Sequence, residues 1–234
     1  MNSIIKKIRQ DLQKKADKNI QNSSQRFFKE PVKLYGIKTP VVDQIGKAYF
    51  VGLKEKSKAE IFILCEALWK SGYLEESFIA CRWSYMIRKN FQPEDFRIFS
   101  KWVDNYVNNW ASCDTLCNHT IGSFLEMYPE YSAELKNWCQ SPNRWMRRAA
   151  AVSLIIPARH GKFLKDIFEL ADILLLDKDD LVQKGYGWML KSAGHAHWQE
   201  VFEYVLANKK VMPRTALRYA IEKMPKGLKN RAMH

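Results

Sequence analysis

No run in this chain approaches the 18 consecutive apolar residues of a membrane-spanning helix; the longest candidate, Ala151 to Ile156, belongs in a helix bathed by water. The first residues, Asn2-Ser3-Ile4-Ile5-Lys6-Lys7, form an amphipathic start rather than a secretory one. No membrane partner and a cytoplasmic location are therefore expected. Glycine-rich phosphate loops, His-Glu-x-x-His and Gly-x-Ser-x-Gly are absent. Nucleotide hydrolysis, zinc peptidase and serine hydrolase chemistry thus lack their usual residues. The 5 cysteines are odd in number, and Cys65 and Cys81 sit inside apolar patterns, which suits reduced buried thiols better than disulfides. Cys113, Cys117 and His119 form the one near-metal grouping, at a spacing that matches neither zinc finger nor zinc ribbon. Neither a metal nor a cofactor is expected. Sustained period-2 alternation is also missing, so strand content should be minimal.

Acidic residues are scarce in two places. Between Glu134 and Asp166 there are none, where the overall density of 25 acids in 234 residues would put about three. The same window holds Lys136, Arg144, Arg147, Arg148, Arg159, Lys162 and Lys165. From Ala207 to His234 the only acid is Glu222, against eight Lys and Arg. A solvated face in a basic protein explains either window taken alone. Together, with a net charge of +13, they suit a surface that meets a polyanion. Nucleic acid is the expected partner; an anionic membrane surface is the second choice that charge alone would allow.

What is present is almost entirely helix. Ile4, Ile8 and Leu12 make a one-sided stripe on a lysine-rich first helix. Thr39-Pro40 reads as a cap and a first-turn proline, and Ser57 to Glu60 as a capping box before a helix ending near Gly72. Ser112 is read as the cap of a helix reaching about Tyr128. Punctuation of this kind starts helix pairs near residues 58, 93, 130, 162 and 197, at intervals of roughly 35 residues, the size of a helix–turn–helix repeat. The expected fold is all-α: N-terminal helices over 1–55, five antiparallel pairs over 58–224, and a basic tail over 225–234. One domain, 1–234, would stack into a right-handed superhelical solenoid with a concave basic face. A plain irregular helical bundle is the alternative.

Three local groupings could carry chemistry. Trp110 and Asp114 lie at i, i+4, so indole and carboxylate share a helix face. A cap is the blander role for an aspartate near a helix start. Arg144 and Arg148 repeat the spacing with two guanidinium forks, which suit phosphate oxygens. In Lys184-Gly-Tyr-Gly-Trp188-Met-Leu-Lys191 two glycines inside a helix mark a close approach, and Trp188 is flanked by lysines. Its blander role is core packing. Arg147, Lys184, Lys191, Arg214 and Arg218 complete the set of cations expected to meet phosphates.

The strings Asn109-Trp110-Ala-Ser-Cys-Asp114, Trp145-Met-Arg-Arg148-Ala-Ala and Tyr186-Gly-Trp188-Met-Leu-Lys191 resemble, in order and spacing, the AlkD-type DNA alkylation repair glycosylases. Tyr35-Gly-Ile-Lys-Thr-Pro40 resembles that family's segment before its first repeat. The likeness runs from about residue 25 to residue 224. It implies HEAT-like repeats holding duplex DNA, and excision of cationic N3- and N7-alkylpurines without base flipping. It further implies a monofunctional enzyme that acts as a monomer and leaves an abasic site. Asp114 would be the catalytic carboxylate, Trp110 and Trp188 would flank the deoxyribose, and Arg148 would hold a nearby phosphate. Many relatives carry a Trp-Trp-Asp-x-x-Asp run; Asn109 and Ala111 stand at two of those places here. A noncatalytic DNA-structure binder and a protein-interaction scaffold are the competing readings. The enzyme reading expects Trp110, Asp114, Arg148 and Trp188 to share one concave surface.

Overall fold

A computed structural model describes residues 3–234. It is all-helical: among the described residues the only β pairing is an isolated bridge between Lys33 and Tyr73. The chain divides into two compact units, the first ending at Leu116 and the second running Cys117–His234. Among the described residues no helix is long and apolar enough to cross a membrane.

The first unit contains α1 (Ser3–Lys14), α2 (Lys18–Gln25), α3 (Thr39–Val51), α4 (Lys58–Trp69), α5 (Leu74–Met86), α6 (Asp95–Tyr106) and α7 (Trp110–Thr115). On α1 the buried stripe is Ile5, Ile8 and Leu12. The i, i+3, i+7 progression differs from the expected one because Ile4 is only half-covered. The capping box at α4 forms as its sequence dictates. Ser57 Oγ accepts from the Glu60 N–H, and the Glu60 carboxylate accepts from the Ser57 N–H at 2.9 Å. Thr39 is instead the first residue of α3, preceded by Lys38, which makes no side-chain cap. In the core Phe99 and Trp102 meet Phe62 edge-to-face, as Phe91 meets Phe99, with Phe62–Trp102 centroids 5.5 Å apart at 89°.

Two buried carboxylates at the start of α5 fix the segment before α3. Glu75 accepts from the backbone N–H groups of Tyr35, Gly36 and Ile37 at 2.8–3.2 Å. Glu76 accepts from both Arg9 Nε and Nη2 and from the Tyr35 hydroxyl. Gly36 has φ +86°, and a Cβ there would lie 2.2 Å from the Asp17 carbonyl oxygen, so only glycine fits. Burial and the hydrogen bond to Glu76 push the Tyr35 phenol well above its ordinary value, so it stays a donor.

The second unit contains α8 (Gly122–Met127), α9 (Glu134–Cys139), α10 (Arg144–Val152), α11 (Ile155–Arg159), α12 (Leu164–Leu174), α13 (Asp180–Ala193), α14 (Trp198–Asn208), α15 (Arg214–Ala220) and α16 (Lys226–Met233). Among successive helices α9 packs on α10 and α12 on α13, and α13 also lies against α10, α11 and α15. The starts of α4, α6, α12 and α14 fall within a few residues of the expected pair starts, and a 3₁₀ turn opens at Pro129 for the fifth. All five cysteines are buried and free. Burial pushes the Cys139 thiol up to about 12, in keeping with inert reduced packing groups.

Candidate functional site

In the first unit the candidate residues Trp110 and Asp114 lie on α7. Its cap is Asn109, whose side chain accepts from the Ser112 N–H at 2.9 Å. Ser112, the residue expected to cap, lies inside the helix and donates its hydroxyl to the Asn109 carbonyl. Asp114 is therefore relieved of the capping role. It sits in the second turn, partly exposed, on the same face as Trp110. Trp110 is held from outside the helix: its indole N–H donates to the Phe27 carbonyl at 3.2 Å, and the Phe28 ring stacks on it with centroids 5.6 Å apart. Phe27 itself is 74% exposed. After Thr115 the chain continues as a π-helix, Leu116–Ile121, with Leu116, Cys117 and Ile121 fully buried. Such widened turns cost hydrogen-bond geometry and concentrate at functional sites.

The Phe27-Phe28 pair is a part of the site that sequence reasoning missed. Two adjacent aromatics after a polar helix were the available signal, but nothing local connects them to a tryptophan 83 residues away.

In the second unit the candidate residues lie chiefly on α10 and α13. Asn143 caps α10 by accepting from the Trp145 N–H at 2.9 Å. Arg148 is only 5% exposed. Its aliphatic stem lies against Gly185, where an added Cβ would be 3.4 Å from Arg148 Cγ, and its Nη1 donates to the Leu181 carbonyl. Gly187 opens the other side of α13: a Cβ there would come within 2.7 Å of the Ala216 carbonyl oxygen and of Tyr219 Cβ. Each glycine thus admits a neighbour, Arg148 in one case and α15 in the other. Trp188, between them in register, is partly exposed rather than core. Lys184 binds Asp180 at 3.1 Å, while Lys191 binds Glu222 at 2.8 Å and lies over the Tyr219 ring. The Lys191 ammonium, helped by Lys223, holds the Glu222 carboxyl below its usual value.

The acid-free window is not a bare cationic surface. Arg144 pairs with Asp179, Arg147 with Asp177, Lys136 and Lys165 with Glu169, and Lys162 with Glu126. Arg147 Nη1 also donates to the Ser141 and Pro142 carbonyls. Carboxylates from flanking segments thus pair with five of the seven cations in a stretch that has no acid of its own. The C-terminal window differs. Arg214 and Arg218 are exposed, Arg214 donates to the Met233 carbonyl rather than to a carboxylate, and Lys209 donates to the Arg231 carbonyl. Among the described residues no group of three His, Cys, Asp or Glu could hold a metal ion. Cys113 and Cys117 are buried, whereas His119 is exposed.

The DNA alkylation repair enzyme model matches residues 8–224. The chain belongs to that family. Its members' name assigns a role in alkylation repair, with DNA as the partner. Among solved structures, the chain is similar to a "Predicted DNA alkylation repair enzyme from Enterococcus faecalis", at 17% identity and a TM-score of 0.81. The match covers 91% of this chain and 98% of that one, and it shows that the two share a fold. Comparison with curated proteins finds no match. Membership covers all three strings that carry the candidate residues.

Proposed function

We propose that this family member is a monofunctional DNA glycosylase that releases cationic N3- or N7-alkylpurines from duplex DNA without base flipping. One observation carries the reading: Asn109 does the capping of α7, which leaves Asp114 on the face of a tryptophan that is itself clamped. A carboxylate beside an aromatic face suits a developing cation. Alkylation already makes the purine a good leaving group. The C1′–N bond breaks with both electrons passing to the purine, whose ring charge is thereby cancelled. The sugar becomes oxocarbenium-like, Asp114 stabilises that charge, and Trp110 and Trp188 provide aromatic faces to the deoxyribose. Water held by Asp114 adds to C1′ and gives up a proton, leaving an abasic site. No lysine amine forms a covalent intermediate. Selectivity then comes from the lesion's own charge rather than from a snug base pocket.

Phosphate contacts are assigned to Arg144, Lys184, Lys191, Arg214 and Arg218, whose head groups reach solvent or lie at an exposed ion pair. Arg147 and Arg148 act as struts beneath that face, because their forks are committed to protein acceptors. The deciding experiment incubates purified protein with duplex DNA methylated at N7 of guanine and assays the released base. Ala111, where many relatives have a second carboxylate, favours a noncatalytic DNA-structure binder as the alternative. Binding of that duplex with no release would establish the alternative instead.

A further inference from the structure

A cleft of about 480 Å³ opens in the second unit among Lys191, Trp198, Lys223, Met224, Pro225 and Leu228. We infer that this cleft binds an unpaired nucleotide of a DNA strand, with its base against Trp198 and its phosphate at Lys191 and Lys223. The inference rests on the proposed function only in taking DNA as the ligand.

The volume falls within the range of small-molecule sites. Its walls are mainly apolar, supplied by Ala220, Met224, Pro225 and Leu228. Trp198 is 49% exposed at the first turn of α14, whereas Trp69, Trp83, Trp102, Trp138 and Trp145 are all buried in the core. An indole left half in water beside an apolar wall offers a stacking platform, which every nucleobase can use. The rim is cationic. Lys191 and Lys223 share the single carboxylate of Glu222, which leaves one positive charge uncompensated between them, and His195 also borders the opening. A flat aromatic ligand carrying an anion complements that combination.

A paired base within a duplex keeps its faces inside the stack, so the ligand is a base at a frayed end, overhang or gap. The acid-poor C-terminal segment that supplies Lys223, Met224, Pro225 and Leu228 to the lining also exposes Lys210, Arg214, Arg218, Lys226 and Arg231, cations for the phosphates of the rest of such a strand. Lys191 also lies three residues beyond Trp188 on α13, about one helical turn away, so the cleft continues the helix that bears the proposed sugar-facing tryptophan.

The test compares a blunt duplex with the same duplex bearing a short 3′ thymidylate overhang, by equilibrium binding. The overhang should tighten binding by about tenfold, toward the lower end of what base–aromatic stacking supplies. Trp198→Ala should remove that gain without changing blunt-duplex affinity or release of N7-methylguanine, and Trp198→Phe should restore most of it. In indole N–H spectra, oligothymidylate should shift the Trp198 resonance. The inference is overturned if the overhang adds nothing, if Trp198→Ala lowers blunt and overhang binding alike, or if Trp198→Ala dissociates a dimer in sedimentation, which would make the cleft's occupant a second copy of the chain. Base release measured in parallel keeps the two ideas apart. An inactive protein that still prefers overhangs would sink the glycosylase alone, and an active one indifferent to overhangs would sink the cleft alone.

Discussion

Replacing Asp114 by Asn keeps shape and polarity while deleting the charge. If that charge faces an oxocarbenium-like sugar, base release should fall on the order of 100-fold or more, the scale for one lost electrostatic stabiliser. Binding to the methylated duplex should stay within a few fold, so single-turnover rates and equilibrium titrations together decide it. Trp110→Ala and Trp188→Ala should each cost less, since each cation–π contact is worth about 1–2 kcal/mol. Asn109 invites the opposite separation. Its loss removes the α7 cap, so Asn109→Ala should lower unfolding stability by about 1 kcal/mol. Arg148→Ala should likewise register first in denaturant unfolding, by on the order of 2 kcal/mol, because a buried guanidinium's hydrogen bond to Leu181 and its packing on Gly185 both vanish. A stable Arg148→Ala protein that lost only DNA affinity would return Arg148 to the phosphate-binding set.

At the level of helices, α4 and α6 are joined by a carboxylate that accepts several donors. Glu66 accepts from Lys101 at 2.8 Å and from the Tyr106 hydroxyl at 2.9 Å, with Lys70 at 3.2 Å. Chiefly through the Lys101 bond, its carboxyl is held at about 2, against an ordinary 4.5. A folded value below the unfolded one means that this tie stabilises the protein fully above pH 4.5 and is lost as pH falls toward 2. Melting temperatures recorded from pH 5 down to 2 should therefore drop, and Glu66→Gln should flatten that part of the curve. The basic helices divide along a different line. Arg218 on α15 is exposed, whereas Arg147 on α10 is locked to Asp177. Arg218→Ala should reduce the log–log salt slope of duplex binding by about one, the value of one phosphate contact. Arg147→Ala should leave the slope alone and lower the melting temperature. Equal slopes for wild type and Arg218→Ala would remove α15 from the interface.

For the molecule as a whole, helix content and several helix starts were legible because caps, prolines and apolar spacing are local signals: Ser57 and Glu60 lie three residues apart and meet as expected. Trp110 with Asp114 was legible for the same reason, as an i, i+4 pair. What stayed hidden was non-local. No spacing rule announces that Arg144 and Arg147 of the acid-free window will meet Asp179 and Asp177, or that Phe27 will accept the Trp110 N–H. Charge counted along the chain thus missed the pairing of the middle window, whereas Arg214 and Arg218 of the C-terminal window are exposed. The uneven depth of the tryptophans has an optical consequence. Of the 8, five lie in the core, while Trp110, Trp188 and Trp198 reach solvent, and those three are the ones assigned here to DNA. Iodide should therefore quench only a minority fraction of the intrinsic fluorescence, and saturating DNA should protect that same fraction while the blue-shifted core emission stays unchanged. The protein carries its own reporter dye, already sorted between silent and responsive positions, and titrations with DNA need no added label.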